Sequence, residues 1–225
     1  LEASPPPSPP LLEVPGVGGA WDGNPDTDKR TPALLFFHGN GETMETVRQS
    51  GAFDEMTALG CPFLALEYPG YGGMSGRPTQ KSLVEAASKA LEWLRERHRH
   101  RKVVLVGWSL GAAVAVQTAS KHPVEGLILG SPWASLDETA REHYPGWLVW
   151  LLLRDHYDSL EAAKGIHCSS LVLHGDQDGL ILPSQGQKLA RALECSFVPV
   201  PGAGHNDTLF RCWKQIGQFA RAAGR

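Results

Sequence analysis

Six short apolar runs, at 33–38, 62–68, 102–106, 124–129, 170–174 and 196–200, are separated by stretches patterned for helices. Strands that alternate with helices fold into a mostly parallel sheet, because each connection must cross back over the sheet and the crossing helix covers its face. The expectation is an α/β fold, doubly wound, with helices on both faces. At 225 residues, 42% of them hydrophobic, the chain can bury one such sheet around a single core. The helix expected before the run at 102–106 shows the pattern in detail. Leu83, Ala86, Ala87, Ala90, Leu91 and Leu94 form its apolar stripe, Ser82 and Glu85 are spaced as a capping box, and the cationic stretch 95–102 closes its C-terminus, where positive charge complements the dipole. No internal repeat is evident.

The third apolar run leads into Gly107-Trp108-Ser109-Leu110-Gly111 and then into Ala112-Ala113-Val114-Ala115-Val116, small residues that suit a helix. In a chain with 25 glycines a GxSxG spacing means little by itself. Its placement between strand and helix is what counts, because that is the context of a nucleophile elbow, a turn so tight that its flanking positions carry almost no side chain and its serine is held strained with the hydroxyl exposed. Ser109 is the candidate nucleophile. A serine hydroxyl attacks a carbonyl only when a positioned base takes its proton, so a histidine and an acid are required. His205 stands in Pro201-Gly202-Ala203-Gly204-His205-Asn206-Asp207, directly after the last apolar run and before an amphipathic stretch carrying Leu209, Phe210, Trp213, Ile216 and Ala220. It is the candidate base. The acid comes from three carboxylates, Asp176 and Asp178 in the loop after 170–174 and Asp137 after 124–129. Asp178 is assigned the role, with Asp176 read as a turn cap and Asp137 as the cap of a helix.

Negative charge that develops on a carbonyl oxygen under attack needs donors already in place. Two backbone amides suit: Leu110, at the N-terminus of the helix after the elbow, and Asn40, in the loop His38-Gly39-Asn40-Gly41 that ends the first run. His38, at a strand end before glycine, is read as a structural residue bonding to loop backbone.

Six segments carry a resemblance: Phe37-His38-Gly39-Asn40-Gly41, Glu67-Tyr68-Pro69-Gly70-Tyr71-Gly72, the elbow, Arg154-Asp155-His156-Tyr157-Asp158-Ser159-Leu160, His174-Gly175-Asp176-Gln177-Asp178 and Gly202-Ala203-Gly204-His205-Asn206-Asp207. In this order they resemble the alpha/beta-hydrolase superfamily, and within it the Bem46-type serine hydrolases related to the alpha/beta-hydrolase-domain (ABHD) groups 13 and 17. The resemblance runs from about Thr31 to the C-terminus. It implies a triad in the chain order serine, aspartate, histidine, and an esterase, lipase or thioesterase activity without fixing the substrate. It also implies an opening β-hairpin and often a membrane anchor, neither of which is legible before Thr31. The stretch 1–30 is accordingly read as a Pro/Gly-rich tail with room for one short edge strand near Trp21, and 31–225 as the catalytic domain.

Within that domain 133–165 stands out as an insertion. Its segment 144–153, which includes Trp147 and Trp150, is apolar around its whole circumference and too short to cross a bilayer. Two readings stand, a lid whose tryptophans line an acyl pocket and a plain core helix. The glycine-rich loop 68–76 is read as a wall of the site with Tyr71 facing substrate, and Trp108, beside the nucleophile, completes the candidate pocket set.

A net charge of -3 argues against nucleic acid or an anionic membrane surface as partner. Cys61, Cys168, Cys195 and Cys212 lack the paired short spacing of a zinc site or redox motif, while an even count leaves a disulfide open. The expectation is a serine hydrolase without cofactor or metal, acting on a small-molecule acyl ester or thioester. A serine peptidase of the same fold and a non-catalytic ligand-binding protein on the same scaffold are the alternatives. No signal peptide or membrane span is legible, which favours a cytoplasmic protein, and the oligomeric state is left undefined.

Overall fold

Apolar residues on two opposite faces of one set of strands require cover on both sides, and the chain meets that requirement with two layers of helices. The computed structural model describes residues 12–14, 17–23, 30–146 and 155–224. Its sheet has eight strands: β1 (Leu12–Val14), β2 (Gly18–Gly23), β3 (Ala33–Phe37), β4 (Phe63–Leu66), β5 (Val103–Trp108), β6 (Gly126–Gly130), β7 (Ser169–Gly175) and β8 (Ser196–Val200), in the spatial order β1-β2-β4-β3-β5-β6-β7-β8. From β4 to β8 every pairing is parallel, as the alternation of strand and helix predicts. The helices are α1 (Met44–Gln49), α2 (Ala52–Ala58), α3 (Gln80–Arg97), α4 (Leu110–Ala119), α5 (Leu136–His143), α6 (Ser159–Ala163), α7 (Pro183–Ala192) and α8 (Trp213–Ala223).

Side chains alternate across the sheet, so each strand feeds two cores. Leu35, Phe37, Leu105, Leu127 and Leu129 pack against α3, α4 and α7. Leu34, Phe36, Val104, Val106 and Ile128 pack against α1, α2 and α8. The helix α4, which leads away from the elbow, is buried along nearly all its length and sits over the middle of the sheet, where its N-terminus is held at the C-terminal edge of β5.

Two local expectations are corrected. The stretch 11–30 holds two strands rather than at most one, since β1 and β2 form an antiparallel hairpin (Leu12 opposite Ala20, Val14 opposite Gly18) and β2 docks on β4. The sheet therefore extends N-terminal to residue 31. The cap of α3 lies one turn earlier than Ser82 and Glu85 suggest: Thr79 is the N-cap, its hydroxyl accepts from the Ser82 N–H at 3.1 Å, and its own N–H donates to Ser82 Oγ at 3.0 Å.

All four cysteines are free thiols, and burial raises that of Cys195 to about 11, which keeps it from acting as a thiolate. Among the described residues no helix is long and apolar enough to cross a membrane. Trp147 and Trp150, with the rest of 147–154, lie outside the described residues, as does the Ser/Pro-rich start of the chain.

Candidate active site

The turn from β5 into α4 is tight enough to dictate its own composition. A side chain at Gly107 would run into the carbonyl of Gly111, and one at Gly111 into the carbonyl of Phe37. Between them Ser109 adopts φ 55° and ψ -117°, a strained conformation for a residue with a side chain, while its N–H is held by the Gly130 carbonyl at 2.9 Å. Because the clash at Gly111 is with backbone, Gly111→Val is expected to destabilise the fold by about 3 kcal/mol or more. Urea unfolding measures this, and a loss below about 1 kcal/mol would contradict the packing described.

The strained turn presents Ser109 Oγ to His205, whose Nε2 lies 3.0 Å away. The other ring nitrogen, Nδ1, is 2.8 Å from Asp178 Oδ2. His205 comes from the loop between β8 and α8. Its backbone carbonyl accepts from Trp108 Nε1 at 3.1 Å, and Gly204 donates to Asp207 at 2.6 Å. Asp178 comes from the loop after β7, where its Oδ1 accepts from the amides of Leu180 at 3.0 Å and Ile181 at 2.9 Å. His174, fully buried at the end of β7, places Nε2 at 2.8 Å from the Ile181 carbonyl and 3.3 Å from Asp178 Oδ2. A carbonyl only accepts, so Nε2 carries the hydrogen and leans on the carboxylate from behind.

Burial alone would raise the Asp178 carboxyl, but hydrogen bonds from His174, His205 and the Ile181 amide, with the charge of His205, outweigh it and hold the group well below the usual carboxylate range. A lowered folded-state value contributes stability above the unfolded value near about 4, and that contribution is lost as pH falls through the folded value. Wild type is therefore expected to melt above Asp178→Asn at pH 7, with the gap narrowing as both are acidified below about pH 4. Melting curves across pH check this, and a gap that widens in acid would contradict it.

The rival carboxylates are occupied elsewhere. Asp176 accepts from the Gly202 N–H at 2.8 Å and ties its turn to the histidine loop. Asp137 sits in the first turn of α5 and pairs with Arg141 at 2.6 Å; the cap of that helix is Ser135, not Asp137.

Opposite the histidine, the loop after β3 is fastened at every step. Tyr68 donates to the His38 carbonyl at 3.0 Å, Glu42 accepts from the Gly39 N–H at 2.9 Å, and Tyr71 donates to Asn40 Oδ1 at 2.6 Å. Burial raises the Glu42 carboxyl, against the hydrogen bond from Gly39 and the charges of His38 and His205. His38 is the structural residue expected: its Nδ1 donates to the Gly39 carbonyl at 2.8 Å and its Nε2 meets Glu67 at 3.1 Å, while Glu67 also accepts from the Met44 N–H at 2.8 Å. Among the described residues nothing accepts from the backbone N–H of Asn40 or of Leu110. These two donors and Ser109 border one cleft of about 740 Å³.

Tyr71 lines that cleft. Trp108 does not; it packs in the core beside α8 and its indole props the His205 loop. The helix α5, inside the expected insertion, contributes Leu136 and Thr139 to the cleft, whereas Trp147 and Trp150 fall outside the described residues. Three residues of the site escaped sequence reasoning: His174, Trp133 and Tyr157. His174 and Tyr157 were visible only as parts of motifs, and Trp133 and Tyr157 become neighbours only when β6 and the chain before α6 are folded together. Among the described residues, no group of three or more His, Cys, Asp or Glu side chains is placed to hold a metal ion.

Comparison with known proteins agrees with the fold. A family model described as alpha/beta hydrolase fold matches residues 32–154. An uncharacterized protein of Mycobacterium tuberculosis is 38% identical over 181 residues, covering 78% of this chain and 63% of that protein. The lysophosphatidylserine lipase ABHD12 of Gallus gallus is 28% identical over 177 residues, covering 70% of this chain and 46% of the lipase. The chain thus spans less than two thirds of the length of these curated relatives. Among solved structures, an esterase of Pyrococcus furiosus superposes with a TM-score of 0.73 at 17% identity, over 92% of this chain and 88% of the esterase, a likeness of fold.

Proposed function

The chain belongs to the alpha/beta hydrolase family, and we propose that it is a serine hydrolase that cleaves carboxylic esters or thioesters through an acyl-enzyme intermediate. One observation carries this reading: Ser109 Oγ, His205 and Asp178 form an unbroken hydrogen-bonded chain of 3.0 and 2.8 Å that opens on a cleft. In the first half-reaction His205 Nε2 takes the proton of Ser109 as Oγ bonds to the acyl carbon. Asp178 holds the imidazole with Nδ1–H toward itself and stabilises the cation that forms. The amides of Asn40 and Leu110 receive the oxyanion, the latter from a helix N-terminus whose dipole favours negative charge. Collapse of the intermediate breaks the bond to the alcohol or thiol, which leaves with the proton from His205. Water then enters, is deprotonated by the same histidine and releases the acid, restoring Ser109.

The name of the ABHD12 relative, a lysophosphatidylserine lipase, favours ester cleavage. The cleft has an apolar share suited to an acyl chain, with Leu83, Leu110, Leu136 and Ile181 on its walls.

A shared acyl-enzyme has a kinetic signature. The p-nitrophenyl ester and the thiophenyl ester of one acid, hydrolysed in the presence of methanol, should give the same ratio of methyl ester to free acid, because both pass through the same acylated Ser109. A ratio that depends on the leaving group would contradict the covalent route.

A further inference from the structure

Three tyrosines gather at one corner of the cleft, and two of their hydroxyls are used to fasten the oxyanion loop: Tyr68 on His38 and Tyr71 on Asn40. The third is not. Tyr157 is 3% exposed and lines the cleft, yet among the described residues its hydroxyl has no hydrogen-bond partner and reaches open space. A hydroxyl cut off from water is as a rule paired, so whatever fills the cleft over this one has to replace the water it displaces. Beside it stands Trp133, ring to ring at 6.1 Å and nearly perpendicular, whose buried indole N–H also lacks an acceptor among the described residues.

The backbone is bent to put the ring there. Tyr157 has φ 38°, the left-handed region that bulky side chains rarely adopt, and strain of this kind persists only where neighbours impose it. Here the Tyr157 N–H donates to Gln80 Oε1 at 3.1 Å, and the Gln80 N–H donates in turn to Asp155 Oδ1 at 3.0 Å. Burial first, then Asp155 and Tyr71, raise the phenol well above its ordinary value, so it remains a donor. The same Asp155 carboxylate borders the cleft and repels an anion. A plain hydrocarbon chain in this cleft would seal the hydroxyl off unpaired; an oxygen atom in the chain would satisfy it.

We propose that Tyr157, beside Trp133, is a specificity-determining residue that donates a hydrogen bond to a neutral oxygen of the substrate, an ether, carbonyl or hydroxyl. Esters carrying such an oxygen in the cleft-bound part are preferred over hydrocarbon esters of equal length. The inference rests on the serine hydrolase reading.

The test compares p-nitrophenyl octanoate with its 5-, 6- and 7-oxa analogues, in which one methylene is replaced by an ether oxygen at nearly constant shape. In wild type at least one oxa ester should have a kcat/KM higher by on the order of tenfold, the effect of pairing one buried donor. Tyr157→Phe, which removes only the hydroxyl, should bring that ratio close to one, and Trp133→Phe should lower it. No oxa preference in wild type, or a preference that survives Tyr157→Phe, would overturn the proposal. Calorimetric binding of the corresponding methyl esters to Ser109→Ala separates the two claims. An oxa preference in binding that Tyr157→Phe abolishes, together with no turnover by wild type, supports the subsite and sinks the hydrolase reading. Turnover by wild type with no oxa preference in either assay does the reverse.

Discussion

Ser109→Ala is expected to lower kcat on short p-nitrophenyl esters by on the order of 10⁴-fold or more, because the covalent route disappears with the hydroxyl. What remains is the cleft with its two unpaired amides at Asn40 and Leu110, which can still polarise a carbonyl for attack by water. The variant should fold normally. Its alanine faces the same strained φ of 55° as the serine, and the glycines that make room for the turn are untouched. A melting temperature near that of wild type alongside the kinetic loss would place the effect in chemistry. Retention of a tenth or more of the activity would remove Ser109 from the mechanism.

Asp178→Asn should cost about 10⁴-fold in kcat, through the tautomer of the histidine. Asp178 Oδ1 is committed to the amides of Leu180 and Ile181, so an asparagine keeps its oxygen there and turns its NH₂ toward His205 Nδ1. Two donors cannot face each other. His205 then places its hydrogen on Nε2, where it can no longer accept the proton of Ser109. Asp176→Asn retains an acceptor for the Gly202 amide, and Asp137→Asn gives up only a partly exposed pair with Arg141, so both should stay within about tenfold of wild type. A larger loss in either than in Asp178→Asn would reassign the acid.

Much of this was legible before folding because the features that set it are local. Each of the six apolar runs matches a strand to within two residues at either end, and in β3 to β6 continuous burial on both faces leaves no polar positions to blur the pattern. The elbow was legible for a related reason: Gly107 is required by contacts with backbone only four and five residues along the chain, and Gly111 by backbone at the end of the adjacent strand. What escaped was either non-periodic or non-local. The strand β2 (Gly18–Gly23) begins with two glycines and so shows neither alternation nor β-branched residues, and it is held by pairing with β4 rather than by propensity. Thr79 outcompeted Ser82 as the cap of α3 because the helix gains a further turn, and Gln80, its first residue, is also bonded to Asp155. Trp108 looked like a pocket residue because it adjoins Ser109, but neighbours on a strand point to opposite faces, and its ring goes under the histidine loop instead. The neighbours of Tyr157, Gln80 and Trp133, come from distant segments, and no spacing rule reaches that far.

The central claim is that Ser109 is a nucleophile activated by His205, and reaction with a fluorophosphonate tests it most directly, because the probe bonds covalently only to an activated hydroxyl. Wild type should gain one phosphonyl group on the peptide containing Ser109, and Ser109→Ala should gain none. Equal labelling of both proteins, or an adduct mapped to any other residue, would contradict the account.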